Sequence, residues 1–121
     1  MKKNFVSDKP KISIKYDGKG DLLIFLHGIG GNKDNWNLNL PILSKHFLSV
    51  AWDSLGYGES EVYEGELSFN EIINDLLKIY KYFDKNKAHI IGLSMGGQIA
   101  CLFYEKYPDK VQSMILCNTH F

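Results

Sequence analysis

One serine stands in a setting that is typical of a nucleophile. Residues 92–96 read G-L-S-M-G, with Ser94 in the middle, between a short apolar run and a helical pattern. A sharp strand-to-helix turn is expected there, and it would lift the hydroxyl above the edge of a sheet. Gly92 and Gly96 would leave room for that turn. The amide of Met95 would face the same way and could donate to a developing oxyanion.

Two other interpretations of the same residues must be weighed. The first is a glycine-rich turn before a helix, in which the serine is incidental. The second is a nucleotide-binding turn, which requires G-x-G-x-x-G and an acidic residue after the following strand. Ser94 occupies the position of the middle glycine, and Asn118 stands where the acid is needed. The pentapeptide alone leaves the first alternative open and disfavours the second.

Two further motifs precede the serine in the chain. Residues 27–31 read H-G-I-G-G after an apolar run, and residues 53–60 read D-S-L-G-Y-G-E-S. Together with the serine motif, they resemble the α/β-hydrolase family. That resemblance implies that Ile29, the residue after His-Gly, supplies a second oxyanion amide beside that of Met95. The supporting residues at this site are His27, which braces the loop, and the glycines Gly28, Gly30, Gly92 and Gly96.

The segment 53–60 resembles the D-x-x-G-x-G-x-S loop of that family, which is mainly structural. Asp53 and Ser60 are expected to bond local backbone amides, so Asp53 is not assigned to catalysis. Trp36 and Tyr57 are expected to pack against other side chains rather than to line a pocket.

The resemblance also implies a reaction. The motif G-L-S-M-G-G and the run M-I-L-C-N-T at residues 114–119 are most similar to the 3-oxoadipate enol-lactonase branch. The implied function is a serine hydrolase that acts on a small ester or lactone by acyl transfer, with no metal and no organic cofactor. A cofactor-free haloperoxidase or perhydrolase shares these motifs. A protein that keeps the fold without the chemistry is the third alternative.

The chain departs from the family at the acid and the base. The resemblance places an acid after the seventh strand and a histidine after the eighth, but residue 121 follows what resembles the sixth. His89 begins its strand and His46 precedes its own, so both are expected at the wrong edge, and His120 is the one plausible local substitute. We therefore expect residues 1–121 to be the N-terminal part of a single α/β-hydrolase domain, a truncated or partial chain that lacks the cap and the C-terminal strands.

The predicted elements would position these motifs at one edge of a sheet. Strand patterns cover residues 11–16, 22–26, 47–52, 89–91 and 111–117. A helix is predicted to begin at Ser68, which forms a capping box with Glu71, and a second at Gly96. Strands and helices alternate from residue 22 onward, which predicts a mostly parallel sheet with helices on both faces. The apolar stripe of the first helix comprises Phe69, Ile72, Ile73, Leu76, Leu77, Tyr80 and Phe83.

Composition and charge exclude several classes of protein. Fourteen basic residues balance fourteen acidic ones, all the basic residues are lysines, and no long run has one sign. This balance argues against binding to nucleic acid or to a membrane surface. Cys101 and Cys117 are far apart and are expected to be reduced. The first ten residues have no apolar leader pattern, so a cytoplasmic location is expected. The last predicted strand would be an open apolar edge, available for self-association.

Overall fold

The computed structural model describes residues 1–66 and 68–119, in which six strands form one sheet. The strands are β1 (Lys2–Asp8), β2 (Lys11–Asp17), β3 (Leu22–Leu26), β4 (Leu48–Trp52), β5 (Ala88–Leu93) and β6 (Val111–Cys117). The helices are α1 (Leu40–Leu43), α2 (Phe69–Tyr82) and α3 (Met95–Lys106). Short 3-10 turns cover Lys33–Trp36 and Pro108–Lys110.

The sheet has the strand order β1-β2-β4-β3-β5-β6. The four strands β4, β3, β5 and β6 run parallel to one another. At the other side of the sheet, β2 pairs antiparallel with both β4 and β1. Leu26 pairs with Gly92, and Leu93 pairs with Cys117, so the ends of three neighbouring strands coincide. The loops that follow β3, β5 and β6 therefore meet at one edge, and the predicted, mostly parallel sheet is confirmed.

Helices cover both faces because the inner strands are apolar on both sides. In β3, alternate residues Leu22, Ile24 and Leu26 point into a core shared with α2 and α3. Leu23 and Phe25 point into a smaller core on the other face. That second core also contains Leu40 of α1 and Trp36, whose ring centroid lies 4.9 Å from that of Phe25. The predicted packing role of Trp36 is thus what the structure shows.

Helix α2 begins where its cap predicts. The side chain of Ser68 accepts a hydrogen bond from the amide of Glu71 at 3.3 Å, which is one half of the predicted capping box. Four residues of the predicted stripe are buried: Ile72, Ile73, Leu76 and Tyr80. Phe69, in the first turn, is exposed, Leu77 and Phe83 are half-buried, and Ile79 is buried although it was not predicted. Helix α3 packs against α2.

Strand β1 was not predicted, because its residues are mostly polar and exposed. It is held by pairing with β2 rather than by burial of its own side chains. Cys101 and Cys117 are both free thiols, as expected. None of the helices in residues 1–66 and 68–119 has the length and apolar character needed to cross a bilayer.

Candidate active site

Ser94 occupies a strained turn between β5 and α3. Its backbone has φ 53° and ψ −113°, a conformation that costs a non-glycine residue about 1–3 kcal/mol. The amide of Ser94 donates to the carbonyl of Cys117 at 2.8 Å, and its carbonyl accepts from Gly97 at 2.9 Å. These bonds fix the serine between β6 and the first turn of α3.

The glycines on either side of Ser94 are required by close packing. A Cβ atom on Gly92 would lie 2.6 Å from the Cα atom of Gly97, and one on Gly96 would overlap the carbonyl oxygen of Leu26. Helix α3 can therefore start directly over β3 only because these positions have no side chain. This is the geometry that the pentapeptide predicts.

The loop after β3 runs directly against the serine. Gly31 donates to the carbonyl of Gly28 at 3.1 Å, which closes a β-turn with Ile29 and Gly30 at its centre. The φ of Gly30 is +78°, as the third position of such a turn favours. A Cβ atom on Gly28 would lie 3.3 Å from the Cβ atom of Ser94. The turn thus holds Gly28 against Ser94, and the next residue, Ile29, is 80% exposed.

A cavity of about 430 Å³ lies over this junction. Met95 is the first residue of α3, and its amide is one that a helix leaves without an intrahelical acceptor. The structure thus places the backbone of the two predicted oxyanion donors beside Ser94. The described lining is uncharged and comprises Gly28, Ile29, Gly30, Gly31, Asn35, Leu93, Ser94 and Asn118.

Sequence reasoning did not assign Asn35 or Asn118 to this cavity. Asn118 directly follows β6, and residues after neighbouring parallel strands meet at one sheet edge. That rule is a signal that could have identified it. Asn35 lies in the 3-10 turn after the Gly28–Gly31 loop, and its Oδ1 accepts from Asn32 at 2.7 Å. No comparable signal in the sequence points to Asn35.

His27 is committed to structural hydrogen bonds. Its Nε2 accepts from the amide of Ser54 at 3.0 Å, so Nδ1 carries the proton and donates to the carbonyl of Gly28 at 2.8 Å. Burial lowers the pKa of this histidine, although the Gly28 carbonyl and the charge of Asp53 oppose that effect. A neutral ring with both nitrogens occupied suits the predicted bracing role and cannot serve as a base.

The other histidines do not reach the serine. His89 is the second residue of β5, bonds Ser113 at 2.6 Å, and lies about 16 Å of extended chain from Ser94. His46 precedes β4 at the same amino edge. His120 lies outside the described residues. Within residues 1–66 and 68–119, no histidine is placed to accept the proton of Ser94.

The loop after β4 is structural, as expected. Asp53 accepts from the amide of Glu59 at 2.9 Å. The hydroxyl of Ser60 accepts from the amide of Ser13 at 2.8 Å and donates to the carbonyl of Asp53 at 2.6 Å. These bonds tie the loop to β2, and both oxygens of the Asp53 carboxylate accept hydrogen bonds from Lys33.

A second cavity, of about 580 Å³, lies between α2 and the segment 61–64. It is larger, but Ser94 and the Gly28–Gly31 loop line only the smaller cavity, which is therefore the candidate site. Among the described residues, no group of three or more His, Cys, Asp or Glu side chains is placed to bind a metal ion.

Residues 21–121 match the family model described as the alpha/beta hydrolase fold. Because the match covers most of the chain and the sheet and elbow agree with it, the chain belongs to the α/β-hydrolase family.

Individual relatives agree with this assignment. The chain is 35% identical over 103 residues to the pimeloyl-[acyl-carrier protein] methyl ester esterase of Wigglesworthia glossinidia brevipalpis, which covers 84% of this chain and 38% of that protein. It is similar to the meta-cleavage product hydrolase of Pseudomonas fluorescens IP01, with TM-score 0.89, 27% identity and coverage of 98% and 45%. A thermophilic esterase from Thermogutta terrifontis has TM-score 0.86, 26% identity and coverage of 99% and 46%. The chain spans less than half the length of each.

Proposed function

We propose that the chain carries the nucleophile and the oxyanion amides of a serine hydrolase that acts on a small ester or lactone. The observation that carries the proposal is the placement of Ser94. Its backbone is held at φ 53° between β5 and α3, and the residue lines the same cavity as Ile29. The strain of this turn destabilises the fold, and in return the turn exposes the hydroxyl of Ser94 at the edge of the sheet.

The reaction that this geometry supports is acyl transfer. The Ser94 oxygen attacks the carbonyl carbon, its proton passes to a base, and the carbonyl electron pair moves onto oxygen. The amides of Ile29 and Met95 stabilise that oxyanion, and the loss of one such donor typically costs about 3 kcal/mol. The alcohol leaves with a proton, and water then releases the acid from Ser94. The base is a group outside the described residues.

The substrate class rests on the uncharged lining and on the relatives. No charged side chain is among the described residues that line the cavity, which suits a neutral ester or lactone carbonyl. The names of the two esterases fit this class. The elbow sequence G-L-S-M-G-G supports an enol-lactone as the narrower candidate. An enol-lactone is therefore the first lactone to assay.

The decisive experiment replaces Ser94 by alanine in the gene product that contains residues 1–121. Ester hydrolysis of a p-nitrophenyl acetate or butyrate substrate should fall at least a thousandfold, because no other side chain replaces the attacking oxygen. Covalent labelling by a fluorophosphonate probe should be lost in parallel. Both are measured on protein whose folding is checked by circular dichroism.

Ser113→Ala is the matched control, because it also removes a serine hydroxyl but at the amino edge of the sheet. It should retain both hydrolysis and labelling. Undiminished turnover of Ser94→Ala would refute the nucleophile assignment. Peroxide-dependent halogenation without ester hydrolysis would favour the haloperoxidase alternative instead.

A further inference from the structure

Residues 27–33, here called the oxyanion loop, are held at both ends by residues that directly follow β4. At its start, His27 accepts a hydrogen bond from the amide of Ser54 at 3.0 Å. At its end, Lys33 contacts the carboxylate of Asp53. The β-turn that carries Ile29 therefore lies between two attachments to adjacent residues of one loop.

Lys33 makes this second attachment with its backbone and its side chain. Its amide donates to Oδ1 of Asp53 at 2.7 Å, and its ammonium donates to Oδ2 at 2.6 Å. The same ammonium bonds Glu59 at 2.8 Å. The lysine side chain is 4% exposed and that of Asp53 is fully buried. Two bonds to one carboxylate fix both the position and the orientation of residue 33.

Lys33 and Glu59 stay charged through the neutral pH range. Burial alone would lower the pKa of Lys33, but the hydrogen bonds that it donates to Asp53 and Glu59 outweigh burial and raise it. The hydrogen bonds that Glu59 accepts from Lys33 and then Lys3 hold its pKa at about 2. The ion pair between Lys33 and Glu59 is therefore a permanent constraint on the loop in that range, and it is not a pH switch.

We infer that Lys33 is a positioning residue, which through Asp53 holds the Ile29 amide where it can bind the oxyanion. The inference rests on the proposed function of Ser94. Only the turn closed by Gly31 and the cap residue Asn32 separate Ile29 from Lys33. The amide of Asn32 is itself held by Asn35 at 2.7 Å, so a shift of residue 33 is passed to the turn.

The test compares Lys33→Met with Lys15→Met in the gene product that contains residues 1–121. Lys15 is the matched control, because its ammonium bonds Asp34 of the same 3-10 turn and the C-cap residue Asn37, without touching Asp53. Lys33→Met should lower kcat for ester hydrolysis about tenfold, because small displacements of a catalytic group reduce rate strongly, and should change KM less than twofold. Lys15→Met should leave both unchanged.

Two readouts report on the oxyanion loop itself. A trifluoromethyl ketone forms an oxyanion on the serine, so its affinity should fall about tenfold in Lys33→Met, whereas affinity for the substrate should not. Backbone amide hydrogen exchange at Ile29, Gly30 and Gly31 should accelerate in Lys33→Met only. Lys33→Arg keeps a cation beside Asp53 and should restore most of kcat.

If Lys33→Met does not fold, the double variant Lys33→Met/Asp53→Asn replaces it, because it leaves no lone buried charge. Unchanged exchange, kcat and inhibitor affinity in a folded variant would overturn the inference. The hydrogen-exchange measurement can be made on a protein that has no hydrolase activity. Failure of the proposed function, seen as full turnover by Ser94→Ala, is therefore distinguishable from failure of the role of Lys33.

Discussion

At the scale of single residues, the buried ring of His27 is a titratable group at the start of the oxyanion loop. It is fully buried, and both of its nitrogens are bonded in the neutral form. Protonation of Nε2 would place two N–H donors, that of the ring and that of Ser54, against each other. The folded protein therefore resists protonation of this ring, and burial lowers its pKa from the usual 6.5.

This shift predicts a loss of stability in mild acid. Below pH 6.5 the unfolded chain binds a proton at His27 and the folded chain does not. The free energy of unfolding therefore decreases as the pH is lowered. The slope for this one group is at most about 1.4 kcal/mol per pH unit and levels off below the folded pKa. Urea denaturation between pH 7.5 and 5.0 measures the slope.

His46→Gln is the control, because His46 lies at the opposite edge of the sheet from His27. The pH slope should persist in His46→Gln and be reduced in His27→Gln. An equal slope in both variants would contradict the assignment of the effect to His27.

The sequence predicted Ser94 and Met95 from local spacing, because turn geometry is set by neighbouring residues, and the resemblance to the family implied Ile29. Lys33 was missed for the opposite reason. Its partner Asp53 is twenty positions away in the chain, and only the parallel pairing of β3 with β4 brings them together. A lysine beside a glycine-rich loop carries no local sign that it is buried.

At the scale of elements, the first turn of α3 meets the end of β3 through backbone atoms. A Cβ atom on Gly96 would overlap the carbonyl oxygen of Leu26 and lie 2.8 Å from that of His27. The position of α3, and with it the amide of Met95, depends on this contact.

Gly96→Ala should therefore destabilise the fold. In an ordinary helix this change stabilises by about 1 kcal/mol, but overpacking here should reverse the sign and cost about 1–3 kcal/mol. The midpoint of urea unfolding measures the effect. Glu105→Ala, on the exposed side of the same helix, should change stability by less than about 0.5 kcal/mol. A stabilised Gly96→Ala variant would refute the close contact.

Elements with strong patterns were predicted well. The cap at Ser68 and the apolar spacing located α2, and the continuous apolar runs located β3 and β4 within a residue. Strand β1 could not be predicted from its own residues, because Lys2 and Lys3 give it no apolar face and its hydrogen bonds go to β2. Such a strand forms because it pairs with a neighbouring strand, and the periodicity of its own residues does not reveal that pairing.

At the scale of the whole molecule, the two edges of the described sheet differ in chemistry. The β1 edge carries Lys2 and Lys3, and charged side chains discourage pairing with another strand. The β6 edge carries Ile115, which is 57% exposed, and Leu116, which is 38% exposed. This contrast supports the expectation that self-association of the 121-residue chain would use β6.

The polypeptide of residues 1–121 should form dimers or larger species at micromolar concentration through this edge. Ile115→Lys should shift it toward monomer, because a charge on an edge strand opposes pairing. Size-exclusion chromatography with light scattering measures the mass. Phe5→Lys on β1 is the control and should not change it. A monomeric parent chain would contradict the prediction.

The shared support of the oxyanion loop has a consequence for protein engineering. Residues 53 and 54 hydrogen-bond to both ends of the segment 27–33, so the segment 27–33 and the residues 53–54 form one structural unit. A loop taken from another protein and placed at residues 27–33 alone would lack the residues that it contacts at positions 53 and 54. Chimeras built on this scaffold should therefore exchange the two segments together.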